Sequence, residues 1–207
     1  MLEICNHPLI SHDLNRLRNS ATQPEEFRRL IRKISVFLTY EAVRSFETIG
    51  AKVTTPLETM DSQELQHPDP ILVSILRAGN GFLDGALDVL PRSKVGFLGM
   101  YRDEDTLKPV HYYSKIPTVD GNAPVILLDP MLATGNSAAD AVEHIQTLGA
   151  QNIYMLSLVA APEGVKRVQL VAPDIKIFVA ALDRGLNEKG YIVPGLGDAG
   201  DRIFNSL

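Results

Sequence analysis

Short apolar runs alternate with amphipathic stretches through the middle of the chain. The runs Ile71 to Leu76, Val95 to Met100, Val125 to Leu128, Ile153 to Ala160 and Ile175 to Leu182 are nearly continuous in apolar residues. That pattern predicts strands buried on both faces. Between them lie helical patterns. In Asn136 to Leu148, residues Ala138, Ala141, Val142, Ile145 and Leu148 share one face and Gly149 follows as a stop signal. Pro162 opens a further helix that ends before Pro173. Nearer the N-terminus, Phe27, Leu30, Ile31, Ile34, Phe37 and Leu38 recur at helical spacing. Thr22 with Glu25 fits a capping box at the start of that helix, which is expected to run to about Thr48. The stretch 51–70 carries Pro56, Pro68 and Pro70 without clear periodicity and is expected to be a connection or short edge strands.

Strands alternating with helices predict an α/β fold with a mostly parallel central sheet flanked by helices, and ligands at the carboxyl ends of the strands. The tail 183–207 breaks the rhythm. Its Gly185, Gly190, Gly195, Gly197, Gly200 and Pro194 cannot sit in a long helix. A single domain over 1–207 is expected, with a core of about 20–182 and a small irregular hood from about 183–207 completed by N-terminal residues.

Composition narrows the classes. With 45% hydrophobic and 22% charged residues in 207, the chain is long enough to bury a sizeable core. The net charge of −5 and pI of about 5.5 give no overall positive field for nucleic acid or an anionic membrane, although a local basic patch stays possible. The lone cysteine, Cys5, rules out an intrachain disulfide and is read as structural. The first twenty residues are too polar for a signal peptide and no run reaches 18 apolar residues, so a cytoplasmic enzyme is expected. The five histidines, at 7, 12, 67, 111 and 144, show no metal-binding spacing, and none is assigned to a metal.

The most informative segment runs from Val125 to Ser137: an apolar strand, Asp129 at its end, then Pro130, Met131, Leu132, Ala133, Thr134, Gly135, Asn136 and Ser137 leading into a helix. Unpaired N–H groups at a helix N-terminus favour an anion, and Thr134 and Ser137 add hydroxyl donors. Asp129 lies beside that loop, where it could accept bonds from sugar hydroxyls. The segment therefore suits a phosphorylated sugar; an ordinary turn with Asp129 and Ser137 as loop caps is the alternative. No lysine follows Gly135, so this is not a loop for a nucleoside triphosphate. Gly195-Leu196-Gly197-Asp198-Ala199-Gly200 matches G-x-G-x-x-G, yet only seven residues remain after Gly200. That leaves no room for the helix and second strand of a dinucleotide-binding unit.

Leu128-Asp129-Pro130-Met131-Leu132-Ala133-Thr134-Gly135 resembles the phosphoribosyl pyrophosphate (PRPP) loop of the uracil branch of the type I phosphoribosyltransferases, where other branches mostly have a second acid in place of Pro130. His7-Pro8-Leu9, Leu38 to Ala42, Ile75 to Gly79, Gly99 to Arg102, Ala160 to Gly164 and Gly190 to Gly200 are similar to that family too, so the likeness spans nearly the whole chain. It implies a type I phosphoribosyltransferase-like fold and transfer of the phosphoribosyl group of PRPP to uracil, giving UMP and pyrophosphate. Arg77 and Arg102 would bind the diphosphate, with 103–108 closing over it. The loop from Met131 to Ser137 would anchor the 5′-phosphate, and Asp129 would orient the ribose. Ile192, Gly197, Asp198 and Ala199 would bind uracil, Asp198 also lying near PRPP and serving the catalysis either by orienting ligands or by helping to remove the base proton. A glycine-rich hood can meet the alternating C=O and N–H edge of uracil with backbone groups of fixed donor and acceptor identity. The resemblance further implies Mg²⁺ held mainly by PRPP and water, a homo-oligomer of at least two chains, and a strained peptide between Leu76 and Gly79; GTP activates some relatives, and the sequence leaves open whether it activates this chain. Two residues depart from the pattern: Asn136 where a second glycine is usual and Asn80 where an apolar residue is common. Weakened phosphate binding is the expected consequence. The rival readings are a PRPP-dependent transferase for another base and a pyrimidine-responsive RNA-binding regulator on the same fold.

Overall fold

The strands predicted at 71–76, 125–128 and 153–160 form with those bounds in the computed structural model, which describes residues 1–102 and 109–206, without side chains at 101, 102, 109 and 111. In chain order the elements are β1 (Leu2–Ile4), α1 (Pro8–Arg18), α2 (Pro24–Val43), β2 (Thr48–Thr54), β3 (Thr59–Leu65), β4 (Ile71–Leu76), α3 (Asn80–Val89), β5 (Lys94–Arg102), β6 (Pro109–Lys115), β7 (Val125–Leu128), β8 (Met131–Leu132), α4 (Asn136–Thr147), β9 (Ile153–Ala160), α5 (Pro162–Val171), β10 (Lys176–Leu182), β11 (Gly185–Leu186), β12 (Ile192–Val193) and α6 (Ala199–Phe204). The central sheet has the order β1-β10-β9-β7-β4-β5-β6, with β8 paired to β9. Its pairings are parallel except at β6, which runs antiparallel to β5 along one edge.

Alternate residues of each central strand face opposite ways, and both faces are apolar, which is why the strands read as unbroken hydrophobic runs. On one face Leu72, Ile126, Leu128, Leu156 and Phe178 pack with Phe27, Leu30, Ile31 and Ile34 of α2 and Phe82 of α3. On the other, Ile71, Val73, Val125, Leu127, Met155 and Ile177 pack against Ala138, Ala141, Val142 and Ile145 of α4 and Val165 and Val168 of α5. The turns therefore collect at the carboxyl ends of β4, β5 and β7, where the candidate residues lie.

Several boundaries differ from the sequence reading. The capping box does not form: α2 starts at Pro24 after Gln23, which makes no side-chain cap, and Thr22 instead donates from Oγ1 to the Arg16 carbonyl at 2.5 Å. Pro24 at the first helical turn needs no partner for an N–H it lacks, so the helix begins there without the box. The helix also stops at Val43, short of Thr48, where β2 begins. The stretch 51–70 holds an antiparallel hairpin of β2 and β3. The N-terminal β1 and α1 lacked a sequence signal in that reading; His7 caps α1 by accepting the Leu9 N–H on Nδ1 at 3.1 Å, and Pro8 occupies the first helical turn. The tail holds one short helix, α6, among turns. The Leu76–Arg77 peptide is cis, within the span where a non-standard peptide was expected, and Val193–Pro194 is cis as well.

Candidate active site

Strand β7 ends at Leu128 and delivers Asp129 to the top of the sheet. The segment then pairs briefly with β9 through β8 and turns at Gly135 into α4. Gly135 has φ +77°, and a Cβ there would meet the Gly164 carbonyl oxygen at 2.6 Å, so this turn can approach α5 only as glycine. Asp129 and the residues from Met131 to Ala138 line a cavity of about 150 Å³ at the N-terminus of α4. Not every loop side chain faces it. Leu132 is fully buried in the core, and the Pro130 carbonyl accepts the Leu158 N–H at 3.0 Å, fastening the loop to β9. These two residues serve the loop through backbone placement. Thr134 Oγ1 accepts the Asn136 N–H at 3.4 Å, a weak contact that leaves the hydroxyl available.

Burial pushes the Asp129 carboxyl up to about 6 from its ordinary 3.8, against a smaller lowering by the Met131 N–H, which donates to Oδ1 at 3.3 Å. The group opens partly onto the cleft but is otherwise walled by protein. Desolvation wins because, among the described residues, the Met131 N–H is the only group that offsets it.

A second cavity, of about 330 Å³, adjoins the first; Met131 and Ala133 line both. Its hood side is formed by Ile192, Gly197, Asp198 and Ala199, the four residues expected to bind the base, together with Tyr191 and Lys189, while Ala78 lines it from the turn after β4; the sequence did not assign these last three. Tyr191 lies inside the Gly190 to Gly200 motif, and its place next to Ile192 is the signal available in the sequence. Among the described residues, the backbone N–H groups of Gly197, Asp198 and Ala199 have no protein partner. The Asp198 side chain is already engaged: its Oδ1 accepts the Asp201 N–H at 2.9 Å and caps α6.

Arg77 stands immediately after β4, at the mouth of the same cleft. Its Nη2 lies 3.4 Å from Asp201 Oδ1 and its side chain is 59% exposed. Asn80 is reconciled with its position by Ser74, a fully buried residue of β4 whose Oγ donates to Asn80 Oδ1 at 2.8 Å. The polar residue that departs from the family pattern thus has its own partner. The Arg102 side chain and the segment 103–108 lie outside the described residues. Among the described residues no cluster of three or more His, Cys, Asp or Glu is gathered around one point, and no helix is long and apolar enough to cross a membrane. A separate groove of about 620 Å³, between β1, the start of α1 and α2, holds none of these residues.

Comparison with known proteins identifies the family. A family model described as "Uracil phosphoribosyltransferase" matches residues 4–206. The chain is 48% identical over 205 residues to a uracil phosphoribosyltransferase of Paracoccus denitrificans, covering 99% of this chain and 97% of that one. It superposes on the structure of the AQ2163 protein from Aquifex aeolicus with a TM-score of 0.93 at 40% identity, over 100% and 99% of the two chains. An adenine phosphoribosyl transferase from Trypanosoma brucei, solved with AMP, pyrophosphate and ribose-5-phosphate, shares the fold at a TM-score of 0.57 and 14% identity, over 95% of this chain and 87% of that one.

Proposed function

Since this chain belongs to the uracil phosphoribosyltransferase family, we propose that its two adjoining cavities hold the two halves of one reaction. It is an enzyme that transfers the phosphoribosyl group of PRPP to uracil, giving UMP and pyrophosphate. The bond from the anomeric carbon to the diphosphate oxygen breaks as the bond to the uracil N1 forms, and the N1 proton is lost. Positive charge builds on the ribose in between, so catalysis rests on positioning and electrostatics.

The loop from Met131 to Ser137 anchors the 5′-phosphate, its N–H groups and the Thr134 and Ser137 hydroxyls donating at the start of α4. Asp129 accepts from the ribose hydroxyls and offsets the developing charge. Arg77 and Arg102 hold the diphosphate, Arg102 being placed on the family pattern alone. Gly197, Asp198 and Ala199 present backbone groups to the base edge, and Ile192 packs against it. With its carboxylate capping α6, Asp198 acts mainly by holding this backbone and orienting ligands. The single observation that carries the reading is the shared wall of Met131 and Ala133, which brings a sugar phosphate in one cavity next to a base in the other.

A divalent cation, Mg²⁺, belongs with this reaction. The ion would be held mainly by PRPP and water, with Asp129 the acidic group beside the ribose. When bound, the ion neutralises charge on the leaving diphosphate. A cytoplasmic location, assembly into a dimer or larger homo-oligomer and activation by GTP are proposed on the family pattern. The hood of 183–207 is proposed to form one domain with the core. In support, Arg28 donates to the Ile203 carbonyl at 2.8 Å and Arg202 to the Asn19 carbonyl at 2.6 Å.

The assignment of Asp129 is tested by turnover of D129N with PRPP, Mg²⁺ and labelled uracil. A loss of about 10²-fold or more is expected, of the size seen when one preorganised electrostatic group is removed; wild-type turnover would reject it.

A further inference from the structure

Two arginines and a buried aspartate hold the backbone just ahead of the base-facing residues, although none of the three lines the cavity. Arg18, at the end of α1, meets Asp183 in two parallel bonds, Nη1 to Oδ2 at 2.8 Å and Nη2 to Oδ1 at 2.6 Å. Their side chains are 20% and 6% exposed. The same pair grips Gly195 from both sides: Arg18 Nη1 donates to its carbonyl at 2.7 Å, and its N–H donates to Asp183 Oδ2 at 2.8 Å. Asp183 is itself anchored to the top of β9, its N–H bonded to the Ala160 carbonyl at 2.8 Å. One residue on, Arg202 Nη1 donates to the Leu196 carbonyl at 2.7 Å while its guanidinium lies 4.3 Å over the buried ring of Phe27.

The pairing stops where the cavity begins. The carbonyls of Gly195 and Leu196 are both taken, whereas neither the N–H nor the C=O of Gly197 has a protein partner among the described residues. A planar Arg–carboxylate fork fixes orientation as well as distance. Hydrogen bonds weaken steeply with misalignment. Gly195, at φ +60°, would otherwise be free to swing the next peptide units.

We propose that Arg18 and Asp183 are positioning residues that set the affinity and selectivity for the base, by fixing the turn that aims the backbone of Gly197 to Ala199 at the base edge. The proposal rests on the assignment of uracil to that cavity. A loosened turn lets donor and acceptor directions drift, which weakens the uracil contact and relaxes the penalty against cytosine, whose amino group faces a donor with a donor. The phosphate loop is built from other elements and should not respond. A merely structural tie between α1 and the hood would instead lower stability and affect both substrates alike.

The test measures kcat and the KM values for uracil and PRPP in the wild type, R18K and D183N, with cytosine as the competing base. R18K keeps the charge and loses the fork; D183N keeps the size and loses the charge. The expected result is a rise of about tenfold or more in the uracil KM. The PRPP KM should stay within about twofold, with a smaller uracil-to-cytosine ratio of kcat/KM. If D183N does not fold, R18K carries the test alone. An unchanged uracil KM in folded R18K, or equal rises in both KM values, overturns the positioning role. A wild type that forms no UMP would overturn the assignment of uracil itself, which separates the two failures.

Discussion

Asp129 carries a cost as well as a role. Burial raises its carboxyl from 3.8 to about 6, so between those values the folded chain binds a proton that the unfolded chain has released. Stability gained from this group is present below pH 4 and is lost as the pH rises through about 6. Above that pH, D129N is expected to be more stable than the wild type by about 1–2 kcal/mol while being far less active, a trade checked by thermal melts at pH 7.5. In the unliganded enzyme, kcat/KM for PRPP should rise with pH to a plateau above about 6 as Asp129 ionises, and the part of that limb absent from D129N belongs to this carboxyl. Arg77 presents the opposite balance. Its contact with Asp201 is long and exposed, so R77A should leave the melting temperature nearly unchanged and raise the PRPP KM by about tenfold or more. Cys5, buried and pushed up to about 12 chiefly by that burial, should resist alkylation in the native protein. The acid at the end of β7 and the turn into α4 were legible in sequence because a strand end, Asp129 and a Thr-Gly turn are contiguous. The Arg18–Asp183 fork was not: its members stand 165 positions apart, and nothing local marks either of them.

At the scale of elements, strands buried on both faces announced themselves, and β4, β7 and β9 have the bounds their apolar runs suggested. Elements with a polar face did not. The edge strand β6, the exposed hairpin of β2 and β3 and the half-exposed β1 carry mixed residues without a long period. The Thr22 box failed for a different reason: the pattern of residue types was present, but Thr22 satisfied itself on Arg16 and Pro24 set the start of α2. Helix α2 is also what holds the hood, since Arg202 lies over Phe27 and Arg28 bonds Ile203. Phe27 is fully buried, so F27A should cost about 3–5 kcal/mol in a denaturant titration and loosen α6 with it. A G135A substitution should damage the phosphate loop rather than the core. A positive φ and a near approach to Gly164 leave no room for the methyl group, and a raised PRPP KM with a smaller stability loss is the expected pattern.

The whole molecule joins one central sheet, covered by helices on both faces, to a hood whose ties run back to the N-terminal helices. On the proposed assignment, that arrangement splits the two substrates between structural units, the sugar phosphate on the sheet and α4, the base under the hood. Chemistry for the first half could be argued from the sequence directly, because helix N-termini bind anions on any fold. Base identity could not, since it depends on where backbone groups of the hood point once long-range contacts have set them. The central claim is therefore tested most directly by pyrophosphate release from PRPP and Mg²⁺ with uracil, cytosine and hypoxanthine offered separately to the wild-type protein. Release matched by UMP with uracil, and weaker by about 10⁴-fold with the other two bases, is the predicted result. Comparable release with cytosine or hypoxanthine, or none with uracil, would contradict it.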